Sequence, residues 1–181
     1  LHGWQPKGTW TLIAEVSNGA VATVTDFAVL THGTFTQPNH DVCQNPIPMT
    51  IGETIWGETK LGKDSYVGSC PLTINRSPEQ VYTFVASDNG SICLNTFGSD
   101  FDTVLYVRSA TCNNSVSEES CNDDDRSQSH QSQIDMTVIA GEKYFVFVDG
   151  YDLDTYGSFI LNSANASCAV ESPTAPNNMC E

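Results

Sequence analysis

Three stretches decide how this chain folds: Ser99-Asp100-Phe101-Asp102-Thr103-Val104-Leu105-Tyr106-Val107-Arg108, Cys121-Asn122-Asp123-Asp124-Asp125-Arg126 and Lys143-Tyr144-Phe145-Val146-Phe147-Val148-Asp149-Gly150-Tyr151. The first and third are runs of β-branched and aromatic residues, the composition of β-strands. The second is a polar segment crowded with carboxylates between them.

Further strands are predicted on both sides, over 47–51, 53–59, 80–86, 91–97, 133–139 and 156–162, alongside 103–108 and 143–148. Turn words separate them: Asp88-Asn89-Gly90, Ala140-Gly141-Glu142 and Asp149-Gly150. Strands recur every ten to fifteen residues and no window carries helical periodicity. The expectation is an all-β protein, an antiparallel, jelly-roll-like β-sandwich.

Upstream, 10–16 and 21–30 read as two strands joined by Ser17-Asn18-Gly19, because Asn-Gly reaches positive φ at low cost. A two-stranded ribbon is marginal alone in water. Residues 1–31 therefore pack on the following domain, pair with another chain, or end a longer precursor. The expected organisation is a ribbon and linker over 1–38, a sandwich over 39–165 and a tail over 166–181. That tail holds Pro173 and Pro176 and is tethered by cysteine.

Seven basic against 22 acidic residues give a net charge of −15. Nucleic-acid binding needs clustered Lys and Arg, so no nucleic-acid partner is expected. No run of about 18 apolar residues occurs, so no membrane span is expected. The acidity is either that of a solvated extracellular surface or, in part, that of a Ca²⁺ site.

Seven cysteines (43, 70, 93, 112, 121, 168, 180) include no Cys-x-x-Cys pair. Disulfides in an oxidising compartment are expected in place of zinc or redox sites. Cys112 and Cys121 bracket a short loop and are expected to close it, with Cys43 and Cys70 as a second pair. Cys168 and Cys180 lie in the tail, and spacing leaves open whether they pair together or one takes Cys93. Cys93 is the candidate for an unpaired or intermolecular thiol. Four Asn-x-Ser triplets start at Asn75, Asn89, Asn113 and Asn165. They fall at turns or strand ends and, in a eukaryote, mark glycosylation sites of a secreted protein.

Catalysis is not expected. The histidines are His2, His32, His40 and His130, and no Gly-x-Ser-x-Gly elbow, His-Glu-x-x-His pair or Walker loop is present. No cofactor is required. Calcium is the candidate ligand, held by Asp123, Asp124 and Asp125 with Asp100 and Asp102 across the sandwich end. Alternatively, Asp102 ties down its own turn and the aspartate run is solvated. Asp152-Leu-Asp154-Thr-Tyr156-Gly157 imitates an EF-hand start, but Ser163 stands where the loop's closing Glu belongs and strands flank it. Only a looser cation site is expected there. Trp4, Trp10 and Trp56 offer a stacking platform for sugars, against the commoner role of strand tryptophans in a core.

Several words resemble one family together: Pro78-Glu-Gln-Val-Tyr-Thr-Phe84, Gly98-Ser-Asp-Phe-Asp-Thr-Val-Leu-Tyr-Val107, Cys121-Asn-Asp-Asp-Asp125, Gln131-Ser-Gln-Ile134, Ala140-Gly-Glu-Lys-Tyr144, Val148-Asp-Gly-Tyr151 and Gly157-Ser-Phe-Ile-Leu161. In this order and spacing they are similar to the bacterial pre-peptidase C-terminal domain, over roughly 40–163. The resemblance implies a small non-catalytic β-sandwich appended to secreted proteases and surface proteins, some of which bind Ca²⁺ or polymeric substrates. Gly8-Thr-Trp-Thr-Leu12 and Val24-Thr-Asp-Phe-Ala-Val-Leu30 resemble the closing strands of the proprotein convertase P-domain, with Phe27 in place of a tryptophan.

The functional expectation is a secreted, non-catalytic structural or interaction subunit of an extracellular assembly such as a filament, sheath or surface layer. Its partner would be a second copy or another extracellular protein, joined by strand addition. The alternative is an accessory module binding protein or polysaccharide, derived from a larger secreted protease or adhesin.

Overall fold

Thr103–Ser109 and Lys143–Gly150 are buried on both faces along nearly their whole length. That is why they read as continuous apolar runs, with no clean alternation. A computed structural model describes residues 43–60, 62–71, 76–125 and 130–168. The predicted ribbon and linker (1–38), Asn75 and Cys180 lie outside the described residues.

The strands are β1 (Ile47–Pro48), β2 (Thr54–Glu58), β3 (Gln80–Val85), β4 (Gly90–Asn95), β5 (Thr103–Ser109), β6 (Glu118–Asn122), β7 (Gln133–Val138), β8 (Lys143–Gly150) and β9 (Ser158–Ala164). They form a five-stranded sheet ordered β1-β3-β8-β5-β6 and a four-stranded sheet ordered β2-β9-β4-β7. The all-β sandwich expected from sequence is what forms. Every strand pair is antiparallel except β1, which runs parallel to β3. Sequence missed β6: Cys121 and Asn122, assigned to an acidic loop, end a strand paired with β5. Glu118-Glu119-Ser120 carries no apolar period, so tertiary pairing alone makes it extended.

Between the sheets lies the main core, with Tyr82, Phe84, Ile92, Leu94, Leu105, Val107, Ile134, Val146, Val148, Phe159 and Leu161. A second core lies on the outer face of the five-stranded sheet, from Val81, Val104, Tyr106, Phe145 and Phe147. The 62–71 segment covers it through Tyr66, whose ring meets Phe147 edge-on at 5.8 Å. Phe147 also stacks on Tyr106 at 4.4 Å. Gly68 allows this cover, since a Cβ there would stand 2.7 Å from the Tyr106 ring.

Arg108 is 2% exposed inside this second core. Its guanidinium lies 4.8, 5.2 and 5.6 Å from the ring centres of Phe147, Tyr106 and Tyr66. It donates to the carbonyls of Cys112 and Val67, both at 2.9 Å. A cation among three ring faces is held by their quadrupoles, and one of its two hydrogen bonds satisfies the Cys112 carbonyl, which would otherwise be buried alone.

The disulfides differ from the sequence expectation. Cys43 pairs with Cys112, Cys70 with Cys121 and Cys93 with Cys168. Cys112 does not close the loop onto Cys121, and Cys43 does not reach Cys70. Cys112 and Cys121 both pack at the second core, and each takes a partner from the segments covering it. Cys93 is not the leftover thiol. It points outward from β4, and Cys168 returns along that face, its N–H donating to Asp135 Oδ2 at 3.1 Å. Loops of 69, 51 and 75 residues are thereby closed, each constraint being worth about 4 kcal/mol in the chain-entropy estimate.

Arg108→Met should cost about 3 kcal/mol, since the buried Cys112 carbonyl loses its donor and the cation–ring attraction goes. Urea unfolding checks this. A loss under about 1 kcal/mol would mean that the rings and disulfides hold the cover without the guanidinium.

Candidate functional site

The connections β4–β5, β6–β7 and β8–β9 meet at one end of the sandwich, and they contain the acidic words. Three fully buried hydroxyl residues fix the bases of the first two: Thr96, Thr103 and Ser132. Ser132 N donates to Thr96 Oγ1 at 2.8 Å, and Ser132 Oγ donates to the carbonyls of Thr103 (2.6 Å) and Asp123 (3.0 Å). Thr103 N donates to the His130 carbonyl at 2.9 Å, and Asp125 N to that of Gln131 at 2.7 Å.

On this base the side chains of Asp102, Asp124 and His130 converge, each offering a ligand atom within 4.8 Å of the others. His130 Nδ1 lies 3.1 Å from Asp102 Oδ2, and His130 N donates to Asp124 Oδ1 at 3.0 Å. The Asp102 side chain thus bonds across to another loop. Asp102 Oδ1 and Asp123 Oδ1 are buried atoms without a hydrogen bond. Burial, then the charges of Asp124 and Asp102, push the Asp123 carboxyl up to about 6. Burial also raises Asp102, opposed by His130 and reinforced by Asp124.

Of the five aspartates expected from sequence, Asp102 and Asp124 converge with His130; Asp123 is near enough for their charges to raise it but is not in the converging group. Asp100 turns the other way, its carboxylate lying against Gly157, where a Cβ would meet Oδ1 at 2.3 Å. Asp125 is not in the converging group. His130, at φ +76°, joins it, and sequence gave no sign of this because its separation from Asp102 carries no spacing signature. Asp152 makes a local turn, its Oδ1 accepting from Leu153 N at 2.7 Å.

Trp56 lies near the same end, on the outer face of the four-stranded sheet, 45% exposed. It stands opposite Ile160 in the β2–β9 register. The next row is polar: Thr54 Oγ1 donates to Asn162 Oδ1 (3.0 Å), and Asn162 Nδ2 donates to Asn95 Oδ1 (2.9 Å). On the other side Ser158 Oγ donates to Glu58 Oε2 at 3.2 Å. The face therefore offers one half-exposed indole among amides, hydroxyls and the Glu58 carboxylate. Trp4 and Trp10 lie outside the described residues.

At the opposite end a cleft of about 620 Å³ has a floor of Met49, Phe84, Ile92 and Val138, with Asn89 and Asn165 at its rim. Both asparagines are exposed, as is Asn113. Asn89 Oδ1 accepts from Ala140 N at 2.8 Å.

No family model matches the sequence, and no curated protein matches it. Solved structures similar in fold include the following two. One is the pre-peptidase C-terminal domain of a collagenase from Bacillus anthracis, at 15% identity and a TM-score of 0.43, over 65% of this chain and 92% of that one. The other is a family 35 carbohydrate binding module from an environmental isolate, at 11% identity and a TM-score of 0.31, over 66% and 95%. The first is of the family whose motifs residues 78–161 resemble. At these values neither likeness speaks to ligands or chemistry.

Three disulfides are the chemistry of an oxidising compartment. Among the described residues no helix is long and apolar enough to cross a membrane.

Asp124→Asn should lower the midpoint at which Asp123 titrates, because one of the two raising charges is removed while burial remains. Carboxyl ¹³C NMR between pH 3 and 8 reads it. An unchanged midpoint would mean that Asp124 does not act on Asp123.

Proposed function

We propose that this chain is a non-catalytic binding module of an extracellular protein, holding a neutral polysaccharide against the outer face of its four-stranded sheet. The observation that carries this is the half-exposed Trp56 beside the Thr54–Asn162–Asn95 row. A sugar ring presents an apolar C–H face and a rim of hydroxyls. An indole matches the first, and side-chain amides and hydroxyls match the second. The charge of −15 works against anionic polymers. A cation at the acidic loops would, in this reading, be held by Asp102 and Asp124, with the His130 imidazole joining them for Zn²⁺ but not for Ca²⁺, and would brace the loops beside the face.

Affinity electrophoresis in gels containing xylan, mixed-linkage β-glucan or galactomannan tests the proposal. At least one should retard the protein, and Trp56→Ala should weaken binding about tenfold, the equivalent of about 1.4 kcal/mol, with an unchanged circular dichroism spectrum. No retardation in any gel, or full retardation of the variant, would overturn it. For the cation, melting is followed after EDTA treatment and again with added Ca²⁺ or Zn²⁺. The melting temperature should fall and then recover in the parent, and should not respond in Asp124→Asn.

A second reading, self-assembly into an extracellular structure, rests on cysteine arithmetic. Six of the seven cysteines are paired within the chain, so Cys180 has no cysteine left to take among these 181 residues. Non-reducing electrophoresis should then show a disulfide-linked dimer that Cys180→Ser removes. Monomer alone would end this reading.

A further inference from the structure

The β3–β8 ladder pairs Val81 with Phe147 and Gln80 with Val148. The next residues beyond that last pair are Glu79 and Asp149, whose charge acts on Glu79. Val81 and Phe147 face the second core, so side-chain alternation puts Glu79 and Asp149 on that same outer face. Both residues are fully buried. Like charges repel, and burial removes the water that would weaken the repulsion.

The Glu79 carboxyl also carries backbone from the covering segment. Ser65 N donates to both its oxygens (3.0 and 3.1 Å) and Tyr66 N to one (3.0 Å). Glu79 N in turn donates to the Lys63 carbonyl at 3.2 Å. Residues 63–66 are thus latched at Glu79, while Val67 to Cys70 are held separately by Arg108 and the Cys70–Cys121 disulfide.

Each element packed around the pair contributes a charged or titratable group. β8 supplies Asp149, whose Oδ1 accepts from Gly150 N at 2.7 Å. β5 supplies the Tyr106 hydroxyl, buried without a hydrogen bond, and Arg108 further along, directed at Val67 and Cys112. The covering segment supplies Lys63, Asp64 and Tyr66, the first two exposed.

Burial, then the charge of Asp149, push the Glu79 carboxyl up to about 9, outweighing the amide hydrogen bonds that favour its ionised form. Burial and the charges of Asp149 and Glu79 likewise raise the Tyr106 hydroxyl. Folded Glu79 therefore binds a proton that the unfolded chain releases near pH 4.5. Its contribution to stability is complete in acid and declines as pH rises through that window to about 9.

We propose that Glu79, buried beside Asp149, keeps its proton at neutral pH, and that its loss in alkali unlatches residues 63–66 from the second core. The proton passes to solvent hydroxide and no covalent bond changes. The opened end exposes the aromatic face of Tyr106 and Phe147, while the disulfide retains the segment. This device is independent of the sugar-binding face.

Hydrogen exchange of the intact chain at pH 7 and pH 10, expressed as protection factors to remove the intrinsic effect of base, tests it. Protection of the Ser65 and Tyr66 amides should fall at least tenfold more than that of β5 and β8. Glu79→Gln keeps an acceptor without the charge and should abolish the selective fall. Asp149→Asn removes the repelling charge but leaves the burial that is the larger cause, so it should lessen the selective fall without abolishing it, which covers a Glu79 variant that fails to fold. Equal protection at both pH values, uniform loss across β5 and β8, a selective fall retained in Glu79→Gln, or one undiminished in Asp149→Asn would overturn the proposal.

Discussion

A guanidinium enclosed by three aromatic rings is the constraint on which much of this structure depends. Arg108 sits on a central strand, so its side chain must either leave the sheet or be covered. It is covered, and the covering residues supply both its rings and its acceptors. A buried cation of this kind persists only where donors and ring faces together replace water.

That requirement gives the sandwich a third layer. The 62–71 segment lies against Tyr106 and Phe147, and two disulfides fasten the edges of the cover at Cys43–Cys112 and Cys70–Cys121. With one face in the main core and the other beneath this cover, β5 and β8 have no wet side. Buried polar groups in such a place must find local partners, and Glu79 finds them in the amides of the cover itself.

The ends of the sandwich are less constrained, and the surface chemistry collects there. Antiparallel connectivity returns β4–β5, β6–β7 and β8–β9 to a single end, so aspartates far apart in sequence share a small volume. The hydroxyls of Thr96, Thr103 and Ser132 anchor two of these loops. The Trp56 face lies beside them, where β2 is an edge strand whose other side pairs with no strand among the described residues.

The all-β class, the strands near 103–109 and 143–150, and the turns between them were legible in the sequence. They depend on local chemistry: β-branched and aromatic runs, and the turn words at 88–90 and 140–142. Asp149-Gly150, also read as a turn, instead ends β8, because β5 pairs with it as far as Gly150. The acidity of the loops was equally plain, as was the outward direction of Cys93, which follows from strand alternation. The disulfide partners were not legible, because pairing depends on which Cβ atoms approach after the sheets stack. Nor was β6, whose polar residues are extended only because β5 supplies the ladder. His130 beside Asp102 and Glu79 beside Asp149 are products of loop return and strand register. Sequence by itself determined most of the strands, β6 excepted, and which segments are charged. Tertiary structure decided which charges meet and which are buried, because distance and desolvation exist only once the layers have closed.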